Sequence, residues 1–243
     1  MKERARFAPS PTGPLHIGGV RTALFNYLIA KKNGGDFILR IEDTDTERTV
    51  EGAEEYIIES LKWLGLTPDE KPYKQSERLS LYKENINELI KKNKAYYAFD
   101  SNIKLDELRK NEESKGKRFN YGFNNRLELD NSLSLTKQQT EKRIKTETYV
   151  IRLKIDPGET IVSDLLRGTL KIKNEILDDK ILIKADGFPT YHFANVVDDH
   201  LMKITTVIRG EEWLPSLAIH ELLYKAFNWK KPKFLHLPLI LKP

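Results

Sequence analysis

The chain of 243 residues contains no cysteine. This absence excludes disulfides, thiolate catalysis and cysteine-ligated zinc, and it leaves five scattered histidines as soft metal ligands. We therefore expect no structural zinc. The chain also lacks an apolar run long enough for a signal peptide or a membrane helix, so we expect a cytoplasmic protein without a membrane partner.

The sequence also lacks a large excess of one sign of charge, with 41 lysine and arginine residues against 36 aspartate and glutamate residues. The formal net charge of +5 permits a nucleic-acid partner but does not require one. Hydrophobic residues make up 39% and charged residues 32%, which indicates a folded chain with an extensive solvated surface. The length alone fits one large domain or two smaller ones.

The first third of the chain alternates strand and helix patterns. A short strand at 5–8 precedes a helix that places Leu24, Tyr27 and Leu28 on one face and ends at Gly34 and Gly35. The buried strand DFILRIED follows, and then a helix with Tyr56, Leu61 and Leu64 at helical spacing. Such alternation predicts an α/β fold with a parallel sheet, which binds ligands at the carboxyl ends of its strands.

The middle of the chain interrupts this alternation. A helix over 77–92 leads to the strand AYYAF, after which asparagine, lysine, glutamate and serine dominate residues 101–148. The patterns TYVIRLKI and TLKIKN then predict further strands. The alternation returns with the strand TTVIRG, a helix over 215–227 and the strand FLHLPLIL. We therefore expect a catalytic sheet domain in two halves, 1–95 and 185–243, separated by an inserted domain over 96–184.

The segment PSPTGPLHIGG, residues 9–19, follows the first strand. Its prolines stiffen the backbone, and its glycines allow the main chain to approach a ligand closely. Backbone N–H groups and the positive helix end would face a phosphate, to which His16 would donate. A rigid connection with an incidental histidine is an equally good interpretation of the spacing alone.

Four motifs carry a resemblance to a known family. RFAPSPTGPLHIGG resembles the first signature of class I aminoacyl-tRNA synthetases, and its PSPTG and HIGG parts are similar to glutamyl-tRNA synthetases. IEDTD at 41–45, PTYHFANVVDDH at 189–200 and VIRGEEW at 207–213 also resemble that family, in the expected order. The resemblance implies a Rossmann-type parallel nucleotide-binding sheet interrupted by an inserted α+β tRNA-acceptor-binding domain.

The resemblance also implies a reaction. The α-carboxylate of L-glutamate attacks the α-phosphate of ATP, pyrophosphate leaves, and glutamate passes to the 3' end of tRNA(Glu). No protein nucleophile is needed, because a carboxylate is already ionised at neutral pH. Catalysis then consists of alignment and charge stabilisation, with Mg²⁺ as the expected ion and no metal ligand assigned to the protein. A monomer is expected.

By the same resemblance, the residues divide into three sets. The catalytic set is His16, Gly18 and Gly19, and Gly19 stands where the better-known form of the motif has a second histidine. The ATP-binding set is Ser10, Thr12, Gly13, His16, Gly18, Gly19, Glu212 and Trp213. The L-glutamate-binding set is Arg6, Ala8, Ser10, Glu42, Tyr191, Asn195 and Arg209, with Arg209 and Tyr191 at the side-chain carboxylate and Glu42 at the α-ammonium.

Several residues allow a second interpretation. Each charged residue, taken alone, fits a surface ion pair. Asp198, Asp199 and His200 resemble a metal site, but a structural or tRNA-end role is favoured, since adjacent residues rarely face one ion together. Trp213 fits either adenine stacking or core packing, and the resemblance favours adenine. The other histidines, His192, His220 and His236, carry no independent signal.

The resemblance also raises expectations about missing parts. Many family members have a cysteine-rich zinc knuckle in the inserted domain, and ordinary packing must replace it here. The chain ends at LPLILKP, before the place of a lysine-rich KMSKS-type loop and of the stem-contact and anticodon-binding domains. We therefore expect a fragment with weak charging of tRNA. A glutamyl-queuosine tRNA(Asp) synthetase-like paralogue and a non-catalytic RNA-binding module stay open as alternatives, as does the choice between tRNA(Glu) alone and tRNA(Gln) as well.

Overall fold

The structure is a computed structural model that describes residues 2–45 and 48–240. Ten strands and seven α-helices lie within these residues. The strands are β1 (Arg4–Phe7), β2 (Asp36–Ile41), β3 (Tyr73–Lys74), β4 (Ala95–Ala98), β5 (Val150–Leu153), β6 (Glu159–Asp164), β7 (Gly168–Lys173), β8 (Ile181–Ile183), β9 (Thr206–Gly210) and β10 (Lys233–Leu237). The helices are α1 (Ile17–Lys32), α2 (Ala53–Trp63), α3 (Leu79–Lys91), α4 (Asn102–Ser114), α5 (Lys137–Thr146), α6 (Tyr191–Leu201) and α7 (Leu217–Phe227).

The largest sheet has five parallel strands in the order β10-β9-β1-β2-β3. This sheet joins an early and a late part of the chain, because β1 pairs with β2 on one side and with β9 on the other. Strand order reverses between β1 and β9, which is the position where open parallel sheets bind ligands. This sheet confirms the predicted α/β class.

Helices cover both faces of the parallel sheet. On one face, Phe37 and Leu39 of β2 pack with Ala23 of α1 and Ile57 of α2. On the other face, the intervening Ile38 belongs to a cluster that includes residues of α3, α6 and α7. The alternation of side chains along one strand thus divides the core into two layers.

Helix α1 turns a different face to the sheet than the sequence predicted. Its buried residues are Ala23, Asn26 and Ala30, whereas Leu24 is 40% and Leu28 52% exposed. Small residues allow the helix to approach the sheet, and the Asn26 amide donates to the Ile208 carbonyl. Of the predicted face Leu24, Tyr27 and Leu28, only Tyr27 packs against the core beneath the sheet, whereas the two leucines are exposed.

Helix α2 shows the same kind of difference. Leu61 is buried as expected, together with Ala53 and Ile57, but Tyr56 is 48% exposed and Leu64 follows the helix as a half-exposed cap residue. The apolar spacing predicted the helix correctly. The residues that face the sheet are nevertheless Ala53, Ile57 and Leu61, and not the predicted set that included Tyr56 and Leu64.

Two further elements differ from the sequence prediction, the strand β10 and the helix α6. Strand β10 ends at Leu237, since Pro238 has no N–H to continue the ladder, and the last leucine of the predicted strand FLHLPLIL lies outside the described residues. The helix α6 was not assigned from the sequence, although Phe193, Val196 and Val197 occupy helical spacing and are fully buried.

The segment between the two halves of the parallel sheet forms two antiparallel sheets. One has the order β4-β5-β8, and the other is the hairpin β6-β7. Near the start of this segment, Tyr96, Leu105 and Tyr121 pack together. The Tyr121 hydroxyl donates to Asp100 at 2.9 Å and accepts from the Asn131 amide at 3.2 Å.

In residues 2–45 and 48–240, no helix has the length and apolar character needed to cross a membrane.

Candidate active site

A cavity of about 880 Å³ opens at the carboxyl ends of the parallel strands. Its walls come from the ends of β1, β2 and β9, the loop that leads into α1, and the start of α6. All residues that the sequence analysis assigned to ATP or glutamate line this one cavity. They are Arg6, Ala8, Ser10, Thr12, Gly13, His16, Gly18, Gly19, Glu42, Tyr191, Asn195, Arg209, Glu212 and Trp213.

His16 caps the N-terminus of α1. Its Nδ1 accepts the backbone N–H of Gly18 at 3.1 Å, so a neutral ring carries its proton on Nε2. That Nε2–H is a donor for a ligand at the helix end. The Gly18 N–H is already engaged by His16, however, so it is not the freely available phosphate donor that the loop pattern suggested.

Glycine is favoured at two positions of this loop for different reasons. Gly13 has φ of +142°, a conformation that side-chain-bearing residues rarely adopt. A Cβ on Gly18 would lie 3.0 Å from His16 Cε1, so the capping ring would have to shift slightly. The backbone conformation therefore explains Gly13 without reference to a ligand, and the His16 cap favours the absence of a side chain at Gly18.

Glu42 forms the acidic part of the cavity. Its Oε1 accepts from Arg40 Nη2 at 3.0 Å and from Asn195 Nδ2 at 3.2 Å. Burial raises the pKa of the Glu42 carboxyl, although the charges of Arg40 and Arg6 act in the opposite direction. The Asn195 Oδ1 is buried and has no hydrogen-bond partner among the residues that the structure describes, so a carboxylate and a vacant amide acceptor lie side by side.

Behind Glu42 lies a network of buried ion pairs. Asp199 accepts from Arg6 Nε at 2.9 Å and from Arg40 Nη1 at 2.7 Å. Burial opposes ionisation of Asp199, but the two guanidinium charges outweigh it and lower its pKa. The charge of Arg6, which was expected to hold substrate, is therefore already paired with Asp199.

Asp198 belongs to the same network on its other side. It accepts from Arg78 at 2.7 Å, Gln75 at 2.8 Å and Tyr82 at 2.7 Å. His200 points elsewhere and stacks on Trp229 with ring centroids 3.8 Å apart. The arrangement of the DDH sequence supports the structural interpretation over a shared metal. Within the described residues, no three histidine, aspartate or glutamate side chains are grouped to hold a metal ion.

Arg209 forms the opposite side of the cavity and is 5% exposed. Its Nε donates to His236 Nε2 at 2.9 Å, and its Nη1 donates to the Tyr191 hydroxyl at 2.8 Å and lies 3.4 Å from His220 Nδ1. Its Nη2 is buried and has no hydrogen-bond partner in the described part of the chain. Salt bridges found within residues 2–45 and 48–240 include none with Arg209, so its charge is unpaired there.

The histidines around Arg209 are neutral. Burial, reinforced by the Arg209 charge, lowers the pKa of His236 to about 4 and that of His220 well below its ordinary value. Neutral rings accept hydrogen bonds from Arg209 without offsetting its charge. A buried guanidinium that has an N–H without an acceptor and no carboxylate counter-ion among the described residues is suited to bind an anion.

The remaining predicted residues lie at the rim. The Trp213 ring packs on the Tyr191 ring, with centroids 4.3 Å apart, and the Glu212 carboxylate lies over Gly210, where a Cβ would overlap it. One face of Trp213 is thus covered by Tyr191. An adenine-stacking role for Trp213 stays a prediction.

Two residues that organise the cavity have no role predicted from the sequence. Arg40 is fully buried inside the apolar strand DFILRIED, and His236 is fully buried inside FLHLPLIL. A charged or polar residue within an otherwise apolar strand was the available signal, because such a residue is buried only with partners.

Comparisons with known proteins agree with this geometry. A family model described as "tRNA synthetases class I (E and Q), catalytic domain" matches residues 2–243. A glutamate--tRNA ligase of Christiangramia forsetii is 60% identical over 252 aligned positions, covering 100% of this chain and 50% of that protein. One of Flavobacterium johnsoniae is 57% identical, covering 99% and 50%. The chain thus spans about half the length of the curated relatives it matches.

Solved structures show the same relationship. The crystal structure of a glutamate tRNA ligase from Elizabethkingia meningosepticum in complex with its amino acid has a TM-score of 0.96 at 53% identity, covering 100% of this chain and 50% of that one. A putative arginyl-tRNA synthetase of Campylobacter jejuni, at 11% identity and a TM-score of 0.52, shares the fold alone. The chain belongs to the family of class I tRNA synthetases of the glutamate and glutamine group, in the part that forms their catalytic domain.

Proposed function

We propose that the cavity binds L-glutamate and ATP and that the chain is the catalytic part of a glutamate–tRNA ligase. In this proposal, the glutamate α-carboxylate attacks the α-phosphorus of ATP and the bond to pyrophosphate breaks. A ribose hydroxyl at the 3' end of tRNA(Glu) then attacks the activated carbonyl, and AMP leaves.

The unpaired charge of Arg209 is the observation that carries the proposal. The guanidinium is buried, its Nη2 lacks a partner within residues 2–45 and 48–240, and its three neighbours Tyr191, His220 and His236 are neutral acceptors. A side-chain carboxylate in this place would supply both the missing hydrogen bond and the missing counter-charge. A neutral side-chain amide would supply the hydrogen bond only.

The other end of the substrate fits the acidic side of the cavity. An α-ammonium requires acceptors, and the Glu42 carboxylate lies beside the unpartnered Asn195 Oδ1. Because Arg40 holds the Glu42 carboxylate in place, the two acceptors present a preorganised site for a cation. Glutamate therefore has a cationic partner for one end and an anionic partner for the other.

The loop that begins α1 is proposed to hold ATP. The His16 Nε2–H and the first-turn N–H groups of the helix supply donors for phosphate oxygens, which gain charge as pyrophosphate leaves. Glu212, Trp213, Ser10, Thr12 and Gly13 complete the proposed nucleotide site along the same wall. Mg²⁺ supplies charge neutralisation to bound ATP phosphates. The described residues group no ligands for it, so no step is assigned to a protein-held ion.

We propose the same division of the chain that the sequence predicted. Residues 1–95 and 185–243 form the catalytic domain, and 96–184 form the inserted acceptor-binding domain. The change from parallel to antiparallel sheets supports this division, since β4 begins at Ala95 and β8 ends at Ile183. A cytoplasmic location and a monomeric state stay predictions.

Calorimetric titration with three related ligands tests the proposal. L-glutamate is expected to bind, whereas L-glutamine, with a neutral side chain, and glutarate, without the ammonium, each bind at least about 30-fold more weakly. That ratio corresponds to about 2 kcal/mol, the scale of one hydrogen bond to a charged group. Equal binding of glutamate and glutamine would contradict the role of Arg209, and equal binding of glutarate would contradict that of Glu42.

A further inference from the structure

Three side chains from distant parts of the chain form a line that ends at Arg209. His236 in β10 is paired in register with Arg209 in β9, and its Nε2 accepts the Arg209 Nε–H at 2.9 Å. On the other side of the ring, Nδ1 lies 2.8 Å from Oδ2 of Asp164, the last residue of β6. Asp164 is 72 residues from His236 in sequence and belongs to the β6-β7 hairpin.

The chemistry of the line determines the tautomer of His236. An arginine Nε–H only donates, so His236 Nε2 must present its lone pair. The ring proton of neutral His236 is then on Nδ1, where it donates to the Asp164 carboxylate. The opposite tautomer would direct two N–H groups at each other at 2.9 Å.

Asp164 is itself held in position. Its Oδ1 accepts the backbone N–H groups of Leu166 and Arg167 at 3.0 Å each, and its Oδ2 accepts the backbone N–H of His236 at 2.9 Å. Burial opposes its ionisation, but these bonds and the bond from His236 outweigh it, so that its pKa is lowered. The carboxylate is therefore an ionised, oriented acceptor.

We infer that Asp164 and His236 are positioning residues for Arg209, which they hold by its Nε, so that its Nη2 has no partner among the described residues and its charge is unpaired there. This inference rests on the proposed function and extends it to the hairpin β6-β7. Asp164 selects the His236 tautomer, and His236 holds the Arg209 Nε. The neutral ring separates the Asp164 carboxylate from Arg209, whereas a carboxylate bonded directly to Arg209 would compete with the substrate.

A tautomer measurement tests the first step without any substitution. Long-range ¹H–¹⁵N correlation spectra of the histidine rings in the 243-residue chain distinguish protonated Nδ1 from protonated Nε2, and only five histidines contribute. His236 is expected to be protonated on Nδ1 alone at pH 7. Protonation on Nε2 would overturn the inference.

Glutamate affinity of four variants tests the second step. H236F removes the acceptor and is expected to weaken glutamate binding by about 10- to 100-fold, the effect of one charged hydrogen bond. H236Q places an amide oxygen near the lost Nε2 and is expected to restore affinity to within about 5-fold of the wild type, on the scale of one neutral hydrogen bond. D164N can donate to Nδ1, so it permits the other tautomer. We expect binding weakened by about 10-fold, with Nε2 protonation visible in the spectrum.

H200F is the matched control, because His200 stacks on Trp229 and does not line the cavity. Its glutamate affinity should equal that of the wild type. Urea unfolding identifies any variant that is not folded, and the conclusion then rests on D164N, H236Q and the wild-type tautomer. A folded H236F that binds glutamate as well as the wild type would overturn the inference. Failure of the wild type itself to bind glutamate, with His236 protonated on Nδ1, would instead contradict the proposed function.

Discussion

The two sides of the cavity treat buried charge in opposite ways. On one side, Arg6 and Arg40 share the carboxylate of Asp199, and Arg40 also binds Glu42. On the other side, Arg209 is equally buried but is surrounded by a tyrosine and two neutral histidines. The charges of Arg6, Arg40 and Asp199 are paired within the fold, whereas Arg209 has no carboxylate partner among the described residues and would be compensated by an anion.

This difference separates stability from binding. A buried ion pair loses stability when one partner is removed, because the other charge is left uncompensated. A buried charge without a partner already bears that cost, so its removal affects mainly the ligand that would compensate it. Substitutions on the two sides should therefore affect different measurements.

Removal of Asp199 should have the largest effect. D199A leaves the guanidinium groups of Arg6 and Arg40 without their shared carboxylate, and we expect the free energy of unfolding to fall by about 3 to 5 kcal/mol. Urea unfolding at pH 7 measures it. The control D106A removes an exposed partner of Arg109 and should leave the free energy of unfolding nearly unchanged. Equal stability of D199A and D106A would refute the distinction between the two sides.

Removal of the Arg209 charge should act on binding. R209M is expected to weaken glutamate binding by about 100-fold, equivalent to about 3 kcal/mol. Loss of an uncompensated buried charge offsets the loss of the hydrogen bonds to its three neutral neighbours, so the free energy of unfolding should change by less than about 1 kcal/mol. Calorimetry and urea unfolding of the same sample measure both quantities. A large loss of stability with unchanged binding would reverse the assignment.

Lowering the pH should reduce the free energy of unfolding through His236, which lies beside Arg209. The pKa of His236 is lowered to about 4 in the folded chain, from an ordinary value of 6.5. Between these values the unfolded chain binds a proton that the folded chain does not, so stability falls as pH decreases. From pH 6.5 to 4.5 the wild type should lose about 2 kcal/mol more than H236Q, which has no titrating ring. The carboxylates and the other four histidines are present in both proteins. If the free energy of unfolding fell equally with pH in the wild type and in H236Q, burial would not be what keeps His236 neutral.

The smallest effect is expected for Tyr191. Y191F removes one neutral acceptor from Arg209 Nη1 but keeps the ring that packs on Trp213. We expect glutamate affinity to fall by about 5-fold, corresponding to about 1 kcal/mol, with little change in unfolding. A loss as large as that of R209M would indicate that the hydroxyl itself binds the substrate carboxylate.

The sequence was most informative where the signal is local. Alternation of strand and helix patterns predicted the parallel sheet, and the motif PSPTGPLHIGG predicted a ligand-facing loop before α1. It was less informative about which face of a helix is buried. Leu24 and Leu28 are apolar but exposed, because the adjacent Ala23 and Ala30 allow closer packing on the sheet. Apolar spacing cannot rank two neighbouring faces without the surface that they meet.

The motifs determined the family and many of the residues that line one cavity, and the alternation of strand and helix patterns determined the α/β class. Only the folded chain decided which charges are paired, because the partners are far apart in sequence. Arg6 and Asp199 are 193 residues apart, Arg40 and Asp199 are 159 apart, and the hairpin residue Asp164 reaches His236 across 72. A guanidinium has the same formula in both places. Its role depends on whether the fold places a carboxylate or a neutral imidazole beside it, since burial makes that difference large.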